Sequence, residues 1–172
     1  MESSIDILVP ASASLVGTFY GRTQSAADGM PPHITLLWPW VGAPVPPGTI
    51  DRVRAATTGL APFVLRLGEV GRFPGVVYLA PEPRRLVDDV IARLAAAFPD
   101  TPPYGGRFGD APMPHLTVGT SDDERQLDLI EHEVRARLVR PLTLEVDRLS
   151  ISEEGLGPGG RWAIRAEVLL DP

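Results

Sequence analysis

Apolar positions recur along the chain at two spacings. Alternation with polar residues predicts strands, and a return every three or four residues predicts helices. Ile5 to Val9 is a short apolar run, interrupted by Asp6 and stopped by Pro10, and reads as a first strand. Ser12 or Ser14 can cap a short helix with Leu15, Val16 and Phe19 on one face. The polar stretch from Arg22 to Pro32 reads as a loop into a second strand over His33 to Trp38, and Pro39 to Pro47 as another loop. Thr49 caps an expected helix carrying Ile50, Val53 and Leu60, with Gly59 near its end. Phe63, Leu65 and Leu67 alternate as a strand, and a turn around Gly71 to Gly75 leads to another at Val76 to Ala80.

The second half repeats this order. Leu86, Val87, Val90, Ile91, Leu94 and Phe98 predict an amphipathic helix over 84–98. A Pro- and Gly-rich loop, Pro99 to Pro112, delivers the next strand, and Leu127, Ile130, Val134 and Leu138 mark a further helix. His132 lies away from that apolar stripe and reads as a solvated surface residue. Leu142, Leu144 and Val146 alternate, the phase slips at Arg148, and a β-bulge is the expected cause. Trp162, Ile164, Ala166 and Val168 form the last strand. The four glycines between Ser152 and Arg161 need only join two adjacent strands. Strand–helix–strand–helix–strand, given twice, points to an internal duplication: one domain over 1–172, with lobes of roughly 1–74 and 75–172.

The repeat has a chemical core. Pro32-His33-Ile34-Thr35 and Pro114-His115-Leu116-Thr117 contain two of only three histidines. In an extended strand His33 and Thr35 share a face, with Ile34, Leu36 and Trp38 opposite. His115 and Thr117 likewise face away from Leu116 and Val118. Each strand thus offers an imidazole and a hydroxyl about 6.5 Å apart on an apolar backing, a cradle for one small anionic group.

Composition narrows the rest. With no cysteine there are no disulfides, thiolate sites or cysteine nucleophiles, and the cytoplasm is the expected location. No apolar run approaches the length of a membrane helix. The N-terminus lacks the basic residues of a signal peptide. All 16 basic residues are arginine, a bias that a GC-rich genome explains. A net charge of −6 argues against a long basic track for nucleic acid. A zinc site is disfavoured, because only two histidines are well placed and threonine is a poor ligand. Trp38, Trp40 and Trp162 can stack a base, but strand aromatics more often serve a core. Arg84 and Arg85, at a helix start, read as solvated.

The two His-x-Thr strands lie 82 residues apart (115 − 33), each in a β-α-β-α-β half. Together they resemble the two-histidine phosphoesterase superfamily, in its 2′-5′ RNA ligase or cyclic phosphodiesterase branch. Asp28-Gly29-Met30-Pro31-Pro32, Leu79-Ala80-Pro81-Glu82-Pro83 and Pro103-Tyr104-Gly105-Gly106 add to the likeness. The resemblance implies a two-lobed α+β fold with a central cleft between two antiparallel-type sheets. It implies hydrolysis of 2′,3′-cyclic phosphates or 2′-5′ linkages, or ATP-independent RNA ligation, in which a 5′-hydroxyl takes the place of water in opening the cyclic phosphate. His33 and His115 would be the acid and base, their order left open, and Thr35 and Thr117 the phosphate donors. Tyr104 and Arg107, just ahead of the second motif, are candidate substrate contacts. No metal and no cofactor are expected. The expected partner is a nucleotide or RNA end, with no membrane or obligate protein partner, and the chain is expected to be a monomer. The alternative of another class is a binding module of the same fold that holds such an end without turning it over.

Overall fold

The computed structural model describes residues 1–109 and 112–171. Asp110 and Ala111, within the expected 99–112 loop, lie outside the described residues, as does Pro172. Eight strands form one antiparallel sheet: β1 (Ser3–Leu8), β2 (His33–Leu37), β3 (Phe63–Phe73), β4 (Val76–Glu82), β5 (Leu116–Thr120), β6 (Leu142–Val146), β7 (Arg148–Glu153) and β8 (Ala163–Leu169). Their order is β6-β3-β4-β5-β2-β1-β7-β8. The helices are α1 (Ala13–Tyr20), α2 (Gln24–Ala27), α3 (Thr49–Thr57), α4 (Arg84–Ala97) and α5 (Glu124–Arg137). None is long and apolar enough to cross a membrane.

The expected α+β fold is present, and its two sheets are continuous. The junction is a single antiparallel pair, Ile34 of β2 with Leu116 of β5. Outward from it the halves match: β2-β1-β7-β8 on one side and β5-β4-β3-β6 on the other. The chain does not divide where the sheet does. β3, within the expected first lobe, pairs with β4 and β6, and the other half is completed by β7 and β8. The phase slip at Arg148 is therefore not a bulge. β6 ends at Val146 against β3, one residue passes, and β7 begins at Arg148 against β1. For a single residue, Asp147, to connect them, the sheet must curl so that its two halves approach.

Most expected elements lie where periodicity put them. One turn of helix, α2, replaces part of the expected 22–32 loop, capped by Thr23 Oγ1 accepting from the Ala26 N–H at 3.2 Å. Gly48, not Thr49, is the N-cap of α3. The β3–β4 hairpin runs on to Phe73, which shrinks the expected turn to Pro74 and Gly75. Each motif strand is backed by a helix from the other half, α1 against β5 and α4 against β2. Gly119 permits this on β5, since a Cβ there would sit 3.2 Å from both Phe19 Cβ and Ile130 Cδ1. Val16, Val53, Val90, Leu94 and Val134 join Ile34, Leu36, Leu116 and Val118 in the core, all essentially inaccessible.

Candidate active site

The register around Ile34 and Leu116 decides the geometry of the site. These are the middle residues of the two motifs, and both are fully buried. In an antiparallel pair the flanking residues oppose one another. The register therefore carries His33 toward Thr117 and Thr35 toward His115. All four line one cleft of about 560 Å³, within the range that takes a small ligand.

The two imidazoles are held alike. His33 Nδ1 lies 2.7 Å from the Pro31 carbonyl, and His115 Nδ1 lies 2.9 Å from the Met113 carbonyl. In both cases the acceptor stands two residues before the histidine, and a proline stands between. That proline holds the preceding residue extended. A carbonyl only accepts, so Nδ1 carries the proton and Nε2 remains for chemistry. Tyr20 steadies the first motif, its hydroxyl 3.0 and 2.9 Å from the Met30 and Pro31 carbonyls and 3.4 Å from His33 Nδ1.

Beyond each threonine the ladder slips by one residue. Asp6 opposes Thr35 and Ile5 opposes Leu37, leaving Leu36 extra. In the same way Tyr78 opposes Thr117 and Val77 opposes Gly119, leaving Val118 extra. This bulge corrects the expected placement of Trp38. Leu36 and Leu37 both face the core, and Trp38, just past the strand end, lines the cleft at 38% exposure. Trp40 packs in the core against Phe98, and Trp162 lines the cleft.

The equivalent neighbours differ in kind. Beside Thr35 stands the carboxyl of Asp6, 1% exposed. Its Oδ2 accepts from Ser4 Oγ at 2.6 Å, and its Oδ1 has no partner. Burial pushes the Asp6 carboxyl above the ordinary carboxylate range, against the opposing pull of the His33 charge and the Ser4 hydroxyl. Beside Thr117 stands Tyr78, stacked on Phe73 at 4.2 Å, and both rings meet His115 edge-on at 5.5 and 5.0 Å. Burial in this aromatic setting lowers the His115 pKa, and the His33 charge lowers it further against the Met113 carbonyl. Gly71 makes the packing possible: a Cβ there would stand 2.4 Å from Tyr78 Cζ, so only glycine leaves room for the ring.

Tyr104 lines the cleft. Its N–H donates to the Trp38 carbonyl at 2.6 Å, and the two rings meet edge-on at 6.2 Å. It is a non-glycine residue at φ +53°, a conformation uncommon outside glycine, asparagine and aspartate. Arg107 is exposed and does not line the cleft. Arg84 pairs with Asp88 at 3.0 Å, and His132 is exposed on α5. Asp6 is the site residue that sequence reasoning passed over. The signal was present, since Ser4 and Asp6 alternate with Ile5 and Ile7.

The model of the 2′-5′ RNA ligase superfamily matches residues 17–157 of the chain. The chain belongs to that superfamily. Solved structures of the same fold include the Thermus thermophilus protein TT0787, 19% identical with a TM-score of 0.60, and E. coli LigT complexed with NADP+, 17% identical with a TM-score of 0.60. E. coli LigT complexed with 3′-AMP is 15% identical, also at 0.60. Each alignment covers 99% of this chain and 98% of the other. At these identities the likeness establishes the fold. No match was found among curated protein sequences.

Proposed function

We propose that this superfamily member is a metal-independent phosphodiesterase, acting on 2′,3′-cyclic phosphates or 2′-5′ linkages by two-histidine acid–base catalysis. The observation that carries the reading is the matched pair of imidazoles. Each is pinned through Nδ1 to a backbone carbonyl, and each lines one cleft beside a threonine of the opposite motif. LigT, of the same fold, has been crystallised with 3′-AMP and with ATP, which supports a nucleotide-like ligand.

His115 is the base. Burial in the aromatic pocket lowers its pKa and so favours an unprotonated Nε2, the form a base needs. It takes a proton from water as the oxygen attacks phosphorus, and His33 gives its Nε2 proton to the departing sugar oxygen. One P–O bond forms, one breaks, and the two histidines exchange protonation states, which solvent resets. With a 5′-hydroxyl in place of water, the reverse of ring closure is ligation. Thr35 and Thr117 donate to the non-bridging oxygens, where charge is concentrated.

Purified protein with excess EDTA should open a 2′,3′-cyclic nucleotide or cleave a 2′-5′ dinucleotide. Loss of turnover on chelation, restored by zinc, would overturn the mechanism.

A further inference from the structure

We propose that the cleft selects substrates whose only negative charge is the phosphodiester under attack, so that cyclic mononucleosides with a free 5′-hydroxyl are preferred to RNA ends or 5′-phosphorylated nucleotides. This rests on the activity proposed above and names its substrate class.

The charges lining the cleft carry the argument. Besides the imidazole of His33 they are the carboxyls of Glu2, Asp28 and Glu154 and the Met1 amino group, with the carboxyl of Asp6 buried beneath them. The amino group stands 3.7 Å from Glu154 Oε2, which also accepts from the Glu2 N–H at 2.9 Å. No arginine lines the cleft among the described residues, and the chain has no lysine. Several arginines are engaged elsewhere: Arg72 with Glu124 and Asp128, Arg135 with Glu131, Arg137 with Glu133, Arg148 with Asp147 and Glu167. The guanidinium fork that suits a second phosphate is therefore missing from this site.

One imidazolium and two hydroxyls match one phosphodiester charge. A terminal phosphate brings a further −1.5 to −2 or so at neutral pH, and each added nucleotide of an RNA chain brings one more. Such charges would have to settle among carboxylates. A sugar hydroxyl or base amine meets the opposite situation. Such neutral donors can hydrogen-bond to the carboxyls of Asp28 and Glu154, which line the cleft. Trp38, Tyr104 and Trp162 supply an uncharged wall for the base.

The test is a comparison of kcat/KM for a 2′,3′-cyclic mononucleoside phosphate, the same molecule bearing a 5′-phosphate, and an oligoribonucleotide with the same cyclic end. The free 5′-hydroxyl substrate should be favoured by roughly tenfold or more, mainly through KM, and added salt should narrow the gap. The double variant Asp28→Asn/Glu154→Gln should shift the ratio toward the phosphorylated substrate. Equal or better use of the 5′-phosphate or the oligonucleotide would overturn the proposal. If none of the three is turned over, the catalytic reading fails and selection is read by calorimetric affinities for the same compounds. Equal or tighter binding of the phosphorylated forms would then overturn it.

Discussion

Ile34 and Leu116 form the one β2–β5 backbone pair between the two halves of the sheet among the described residues, and each is flanked by a histidine and a threonine that face the cleft. The relative position of the two imidazoles therefore depends on an apolar contact beneath them. Ile34→Ala should cost about 2–5 kcal/mol of stability, as for other fully buried aliphatic truncations. It should also lower kcat under conditions where the variant is fully folded. Chemical denaturation and single-turnover kinetics would separate the two, and an undiminished kcat would show that the junction does not set the spacing.

Thr35→Val and Thr117→Val keep shape and strand preference while removing one donor each. Each should lower kcat/KM by about 2–4 kcal/mol, the scale of a lost oxyanion donor, with little change in melting temperature. Full activity in the double variant would take the hydroxyls out of the mechanism.

The division of labour between the histidines is tested by leaving groups. A nitrophenyl ester needs little help from an acid, so it should restore much activity to His33→Ala and little to His115→Ala. The opposite pattern would reverse the roles. The ascending limb of kcat/KM against pH should fall below the ordinary histidine value near 6.5, because burial disfavours the charged His115. Gly71→Ala must push Tyr78 away from His115, admit water and move that limb upward. A limb that stays put would mean that the aromatic packing does not govern it.

Asp6 predicts an effect on stability. Its folded pKa lies above its unfolded value, so between the two the folded chain holds the extra proton. Stability from this group is complete below the unfolded value and is lost as pH rises through the folded one. Asp6→Asn removes that loss. Its melting temperature should gain on the wild type between acid and neutral pH, and a constant difference across that range would contradict the buried carboxyl.

Much of this was legible in the sequence, because period-2 alternation reports which face a side chain takes. It placed His33 with Thr35 and His115 with Thr117 on common faces, and the helical stripes gave α4 and α5. Alternation fails where the ladder slips, and so it misplaced Trp38: nothing in Leu36-Leu37-Trp38 announces the extra residue. It also says nothing of partners across strands. The pairing of Asp6 with Thr35, and the aromatic setting of His115, are products of register. Arg107 is near His115 in sequence, but the left-handed turn at Tyr104 to Gly106 leads into an exposed segment.

The passage of the chain through Asp147 has a consequence for assembly during folding. Because β3 is spent on the half that holds His115, the half that holds His33 gets its third and fourth strands only from β7 and β8, which follow β6 in the chain. Neither half can be completed by a contiguous segment of its own. The first histidine acquires its finished surroundings only after β7 and β8 are made, so a polypeptide stopped after β6 would carry both motifs and still lack the outer strands that hold β1 in place.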